Sequence, residues 1–350
     1  MHGDLAGQEG QKRQTGSNGT KRGAEAGCVG RGHEPQRSRM RRSWQGKRLP
    51  WYNGRRDESV KAAFVGLLGR PSSGKSTLLN RVCGGKVSIV SPIPQTTRNR
   101  IRGILNGPAG QLVFVDTPGF HASERKMNLR LRRLALETLG EVDLALYLVD
   151  VTRPPGEEEH ALMAALAPHQ DRLVVALNKT DLSPNHSAAA ELELRREFRA
   201  PRLYPVSALA GSGLEALLAA LWQLAPEGEA FYPPDYYTDQ TPEFRIAEIV
   251  REKAIRDLRE EVPHALYVHI EDLEMRRDNT ELWARAAIYV ERDSQKGILV
   301  GRGGERIRAV ARDAEAELTE LFPYAVKIDL RVKVRPKWRH DENLLARLIR

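Results

Sequence analysis

The chain has 350 residues, 41% of them apolar, which is enough for two ordinary domains with cores of their own plus a tail. The net charge of +9 is uneven: residues 1–59 hold 13 Lys and Arg against 6 Asp and Glu, pointing either to a polyanionic partner or to a solvated basic tail. Cys28 and Cys83 lack CxxC or Cys/His spacing, no apolar run approaches the ~18 residues of a membrane span, and the start has no signal-peptide segment, so disulfides, zinc and a membrane span are excluded and a reducing cytoplasm is expected.

Residues 1–59 are rich in Gly, Gln, Ser, Arg and Lys without periodicity, and a disordered basic extension is expected there. A start at Met40 would remove most of it. From residue 60 the pattern alternates. Strands are expected at 61–68, 101–106, 111–116, 144–151, 172–178 and 203–206, with helices at 75–83, 128–139, 156–167, 188–198 and 213–224. This is an α/β fold, a mostly parallel sheet with helices on both faces over residues 60–226. Its sites lie beyond the carboxyl ends of the strands.

Four motifs fall at those ends. GRPSSGKS at 69–76 follows an apolar strand and opens a helix, the setting of a phosphate-binding loop. Gly69 and Gly74 let backbone N–H groups fold around phosphate, Lys75 reaches the β and γ phosphates, and the Ser76 hydroxyl suits Mg²⁺. Arg70, Pro71, Ser72, Ser73 and Thr77 complete the cradle. Asp116, Thr117, Pro118 and Gly119 end the run LVFVD, where Asp116 supports Mg²⁺ through water and Gly119 brings a backbone N–H to the γ-phosphate. Asn178, Lys179, Thr180 and Asp181 follow the strand LVVAL. The Asp181 carboxylate faces guanine N1–H and N2–H₂, donors that adenine lacks; Asn178 bonds guanine N7 or holds neighbouring loops, and the Lys179 stem covers the ring. Ser207, Ala208 and Leu209 place a backbone N–H on guanine O6. GTP, GDP and Mg²⁺ are the ligands these motifs ask for.

The segment SPIPQTTRNR at 91–100 is Pro-broken and polar, a loop that acts as a switch if one hydroxyl completes the Mg²⁺ shell only when the γ-phosphate is present. Thr97 is the first choice for that ligand and Thr96 the rival. Lys75, Thr97 and Gly119 are the candidate catalytic groups.

Residues 227–242 carry Pro, Gly and four aromatics without a period and read as a linker packed on one domain. A second domain, 243–350, follows in the order helix (243–258), strand (265–271), strand (283–291), short helix and turn (295–304), helix (305–321), strand (325–334) and a closing amphipathic helix (342–349). Gly301, Arg302, Gly303 and Gly304 form a GXXG turn between two helices. The same pattern recurs at Gly7, Gly16, Gly27, Gly66 and Gly107, so only the context here, with Arg306 and Arg308 beside it, makes this the backbone clamp of an α+β, bacterial-type KH domain. Lys333, Arg335, Lys337 and Arg339 alternate after the last strand as an RNA-tracking edge or a solvated strand end, and Trp338 stacks on a base or packs inward.

From about residue 60 onward the chain resembles the Era-type GTPases, on GRPSSGKS, PQTTR, DTPGFH, NKTD and SAL in order, then YVERDSQKGILVGRGGERI. The resemblance implies a GTPase that binds the 3′ end of small-subunit ribosomal RNA through its KH domain and acts in 30S subunit assembly, working as a monomer in the cytoplasm with peripheral contact at the cell membrane. Two positions bear on this. Ras-like enzymes use a Gln after Asp-x-x-Gly to orient the attacking water, and Phe120 stands there, so slow intrinsic hydrolysis is expected. Ser72 replaces the Asn that relatives associate with a monovalent cation, which leaves potassium dependence open. The competing reading is a constitutive RNA-binding protein whose nucleotide site is structural.

Overall fold

The computed structural model describes residues 60–349 apart from 92, 94–95, 121–125, 257 and 259–260; the basic extension expected over 1–59, with Cys28, lies outside the described residues. The apolar runs form a six-stranded sheet, β1 (Lys61–Leu68), β2 (Ile101–Gly107), β3 (Gly110–Asp116), β4 (Leu144–Asp150), β5 (Leu173–Asn178) and β6 (Arg202–Val206), ordered β2-β3-β1-β4-β5-β6. All neighbours pair parallel except β2, which meets β3 as an antiparallel hairpin across Gly107 and Gly110. Strands covered on both faces are apolar throughout, and β4 and β5 are buried at every residue.

The helices α1 (Lys75–Val82), α2 (Lys126–Glu141), α3 (Glu157–Leu166), α4 (Ser187–Glu197) and α5 (Leu214–Leu224) cover the sheet. Their buried leucines divide between two cores, one on α1 and α5 and one on α3 and α4. Because β1, β3, β4, β5 and β6 run parallel, Leu68, Asp116, Asp150, Asn178 and Val206 end at the same sheet edge. The motif loops therefore converge without any special pairing between them.

The expected linker packs on the first domain. Tyr237 accepts the Ile104 N–H through its carbonyl at 2.9 Å, Phe231 sits 4.5 Å from Phe64, and Thr238 bridges to Gly103. Beyond it, α6 (Pro242–Ile255) starts at Thr241, whose hydroxyl accepts the Phe244 N–H, with Pro242 at the first turn where no donor is missed. A three-stranded sheet, β7 (Tyr267–Arg276), β8 (Glu281–Val290) and β9 (Ala325–Val334), carries α6, α7 (Asp293–Val300) and α8 (Glu305–Leu321), and α9 (Glu342–Leu348) closes the chain. β7 and β8 are antiparallel, while β8 and β9 are parallel.

β7 runs to Arg276, past the expected end at residue 271. The register shifts between Ile270 and Asp272, so a bulge at Glu271 breaks the alternation and the strand resumes. Arg277, Asp278 and Asn279, all with positive φ, then make the turn. Trp338 is 2% exposed, donates its ring N–H to the Ala265 carbonyl at 2.9 Å and meets Tyr267 edge-on, so it packs inward and offers no face to a base.

Candidate functional site

The phosphate loop connects β1 to α1, and its geometry shows why its residue types are needed. Gly74 has φ 97 and lies against the Asn178 amide, leaving no room for a Cβ. Ser72 holds φ 61, a left-handed conformation that Asn adopts more readily than Ser. The Lys75 ammonium, 6% exposed, donates to the carbonyls of Gly69 (3.0 Å) and Arg70 (2.9 Å). Burial pulls its pKa down to about 8, although Asp116 and Glu159 pull it back up.

The Arg70 side chain turns away from the loop. It ion-pairs with Glu159, itself bonded to the Tyr147 hydroxyl, and reaches the Asp150 carbonyl. Arg70, expected in the cradle, therefore does not line the nucleotide cavity. That cavity, about 270 Å³, is lined by Pro71, Ser72, Gly74, Lys75, Ser76 and Thr77 of the loop and by Thr96, Thr97, Thr117, Gly119 and Lys179 around it.

The three expected Mg²⁺ groups come together. Ser76 Oγ lies 3.0 Å from Thr97 Oγ1 and donates to Asp116 Oδ2 at 2.7 Å. Asp116 is fully buried, and its Oδ1 has no hydrogen-bond partner. Burial raises its pKa against Lys75 and the surrounding hydroxyls, so an anionic carboxylate here calls for a cation. The donor set, all hard oxygen, fits Mg²⁺. Thr96 instead donates to the Ile93 carbonyl at 2.6 Å, inside its own loop. The geometry thus separates the two threonines that the sequence left as rivals. A fourth hydroxyl, Ser88 Oγ, donates to Asp116 Oδ2 at 2.9 Å; nothing in the sequence singled it out.

Asn178 is a hub between loops, as one of its two expected roles required. Its amide donates to the Ser73 carbonyl at 2.8 Å and its Oδ1 accepts the Ala208 N–H at 2.9 Å. Thr180 anchors to the Val206 carbonyl through both its N–H and hydroxyl, leaving Asp181 exposed. Ser207 is buried and bonds the Ala210 N–H through its hydroxyl, whereas Leu209 is 73% exposed. Thr117 spends its hydroxyl on the Leu67 carbonyl. Phe120 is 5% exposed in the core under α2 and α3, well placed for packing and useless for orienting water.

The switch segment is gripped from its other side by α6 and the segment before β7. Ile89 is 2% exposed within the core of α6 and the KH sheet, a burial worth about 2 kcal/mol. Val90 N–H donates to Glu252 of α6 at 2.9 Å, and Arg251 of α6 donates to the Thr96 carbonyl. Arg98 reaches back to the carbonyls of Leu266 (2.8 Å) and Pro263 (3.3 Å). The Ser88 and Thr97 hydroxyls thus meet Asp116, while the Ile89 side chain, the Val90 N–H, the Thr96 carbonyl and the Arg98 side chain meet α6 and the segment before β7. Leu131 of α2 is likewise buried among Tyr267, Trp338, Leu345 and Ile349.

At the expected RNA clamp, Gly301, Gly303 and Gly304 all have positive φ, and Arg302 is exposed. Arg306 packs under Gly301 and donates to the Ile298 carbonyl at 3.4 Å. The basic edge is less free than its sequence suggests: Lys333 pairs with Glu271, Arg335 with Asp341 and Arg339 with Glu291. Such exposed surface pairs are weak and yield easily to phosphate.

Residues 64–179 match the family described as 50S ribosome-binding GTPase, and 261–339 match the KH domain. GTPase Era of Treponema denticola is 48% identical over 292 residues, 83% of this chain and 99% of that protein. GTPase Era of Borreliella burgdorferi is 41% identical over 291 residues, 83% of this chain and 100% of that one. Among solved structures, a variant of Aquifex aeolicus Era bound to GDP·AlF₄⁻ is similar with a TM-score of 0.78 at 32% identity, covering 83% of this chain and 99% of that one. An Era complex with MgGDPNP and nucleotides 1506–1542 of 16S ribosomal RNA gives the same score and identity over 83% and 98%. With both domains matched in one order, at this identity and over almost the whole of each relative, the chain belongs to the Era family of GTPases.

Proposed function

We propose that this protein is a Mg²⁺-dependent, GTP-hydrolysing switch that binds the 3′ end of small-subunit ribosomal RNA through its KH domain and acts in 30S subunit assembly in the cytoplasm. The domains assigned are 60–226 for GTP and 243–350 for RNA, joined by 227–242. The observation that supports this is the two-sided switch segment, whose Thr97 hydroxyl lies 3.0 Å from Ser76 Oγ while Arg251 and Glu252 of α6 hold its neighbours Thr96 and Val90. The Era complex containing both GDPNP and 16S RNA supports the pairing of ligands.

In this reading Lys75 and the loop amides hold phosphate charge, and Ser76, Thr97 and Asp116 hold Mg²⁺. Asp181 reads guanine. The metal would neutralise charge developing on the β and γ phosphates. Hydrolysis is slow because Phe120 brings no polar group to the water. No described helix is long and apolar enough to cross a membrane. The apolar residues of α9 that a bilayer would need, Leu345 and Ile349, are buried in the chain's own core, which favours the cytoplasm over a membrane surface.

The test is RNA affinity, measured on a single-stranded mimic of the ribosomal RNA 3′ end with GDP and with a GTP analogue. About tenfold tighter binding with the analogue is expected, a coupling of roughly 1.4 kcal/mol. Arg251→Ala should bring that ratio close to one while nucleotide affinity stays unchanged. Equal RNA affinity in both states of the unmodified protein would leave a constitutive RNA-binding protein with a structural nucleotide site.

Two further substitutions follow from the geometry. Thr97→Ala should slow GTP hydrolysis by about 10² through the lost ligand, whereas Thr96→Ala, which removes only a bond inside the loop, should change it less than threefold; single-turnover hydrolysis separates them. Gly303→Asp sets a carboxylate in the clamp at φ 56 and should weaken RNA binding at least tenfold with GTP hydrolysis intact, as gel shift and phosphate release would report.

A further inference from the structure

Asp150, at the carboxyl end of β4, belongs to none of the four nucleotide motifs, yet it is 1% exposed and fully engaged. One oxygen accepts the Thr152 N–H (3.0 Å) and hydroxyl (2.6 Å). The other accepts the Lys179 ammonium at 2.7 Å, with Arg153 more distant at 3.4 Å. Burial works against this carboxylate, but the Lys179 and Thr152 bonds outweigh it and hold its pKa below the ordinary value.

Lys179 has a peculiarity of its own. Its φ is 71, in the strained left-handed region that long side chains seldom enter. A strained residue persists only where its surroundings define it. Here β4 and β5 are paired in register, Asp150 beside Asn178, so the Asp150 carboxylate stands one strand away from the turn that carries Lys179. The left-handed turn directs the side chain along the cavity, which Lys179 lines, and Asp150 takes the charge at its far end. A lysine with both ends fixed presents its four methylenes as a wall. Left loose, the same side chain would lose rotamer entropy on covering a base.

Resting on the assignment of this cavity to GTP, we infer that Asp150 is a positioning residue for the nucleotide: it fixes the Lys179 ammonium so that the alkyl stem is already laid across the purine face before the base arrives. Its partner is the flat face of the ring. Asp181 faces the ring's edge, so discrimination between guanine and adenine is left to Asp181, and Asp150 sets how long the base stays.

Three variants test this on the full chain: Asp150→Ala, Lys179→Met, which keeps the stem and drops the charge, and the double variant. Stopped-flow release of a fluorescent GDP analogue should quicken about tenfold in each single variant and no further in the double, since both break one contact. KM for GTP should rise by the same factor with kcat unchanged, and the GTP over ATP preference should hold. Inorganic pyrophosphate, which engages the phosphate loop without a base, should compete as well in Asp150→Ala as in the unmodified protein. If pyrophosphate weakens in step with GDP, or if the two substitutions add, Asp150 merely supports the loop and the inference falls. Lys179→Met changes a partly exposed side chain and keeps the test open should Asp150→Ala fail to fold. Absence of GDP binding by the unmodified protein would overturn the GTP assignment itself, a distinct failure from normal binding with unchanged release in the variants.

Discussion

Asp181→Asn is expected to convert the nucleotide site from guanine to xanthine, lowering affinity for GTP by about 10³–10⁴ and raising that for XTP by a similar factor. The carboxylate offers two acceptors to guanine N1–H and N2–H₂; an amide offers one acceptor and one donor pair, so one buried contact becomes donor against donor. Leaving a buried hydrogen-bonding group unmatched is what gives polar sites their largest discrimination, on the order of 10⁴. Xanthine carries a carbonyl in place of the 2-amino group and restores the match. The fold should tolerate the change. Asp181 is exposed, and the turn that presents it is set by Thr180 on the Val206 carbonyl and by Leu182 N–H on the Lys179 carbonyl, none of which involves the Asp181 side chain. Thr97 and Lys75 are untouched, so the variant should hydrolyse XTP at the unmodified protein's GTP rate. Competition of GTP and XTP for a fluorescent nucleotide is the measurement, and retained GTP preference would show that Asp181 does not face the base.

The legibility of this site in the sequence has a simple cause. Phosphate loop, DTPG and NKTD are each contiguous, because each is one loop whose backbone does much of the recognition, and a parallel sheet delivers all of them to one edge. Element ends followed from the same logic, and β1, α8 and β9 fall where periodicity put them. What the sequence withheld are partnerships between distant residues. Ser88 and Asp116 are 28 residues apart, Asp150 and Lys179 29, Thr96 and Arg251 155. A lone Ser or Arg carries no local sign of such a partner. The basic run after β9 shows the opposite error, since Glu271, Asp341 and Glu291 neutralise cations that look free in the sequence. The β7 end was hidden because its outward residues are charged and a bulge breaks their period. Trp338 was ambiguous until its ring N–H found the Ala265 carbonyl.

Lys75→Met should abolish nucleotide binding while leaving the empty protein at least as stable, a dissociation that identifies what the residue is for. The ammonium is buried, and burial, with the Lys179 charge, brings its pKa down to about 8 despite Asp116 and Glu159. Keeping it charged at neutral pH therefore costs the empty protein on the order of 3 kcal/mol. Its bonds go to the Gly69 and Arg70 carbonyls of the phosphate loop. Methionine fills nearly the same volume without the charge, so the cost disappears and Tm should hold or rise. Binding fares otherwise. Phosphate oxygens would then face the Asp116 carboxylate and inward carbonyls without their cation, and loss of one buried charge pairing is worth about 3–5 kcal/mol, or roughly 10³ in affinity. Lys75→Arg should be nearly as damaging, because a planar guanidinium does not fit a seat shaped by two carbonyls for a compact ammonium. Thermal melts with and without saturating Mg²⁺ and GDP read both terms. At a hundredfold excess over Kd the unmodified protein gains about 2.7 kcal/mol from ligand, whereas Lys75→Met should gain nothing. A variant that melts early even without ligand would show that Lys75 serves the fold; one that melts normally and ignores GDP shows that the protein bears a buried charge for the sake of its phosphates.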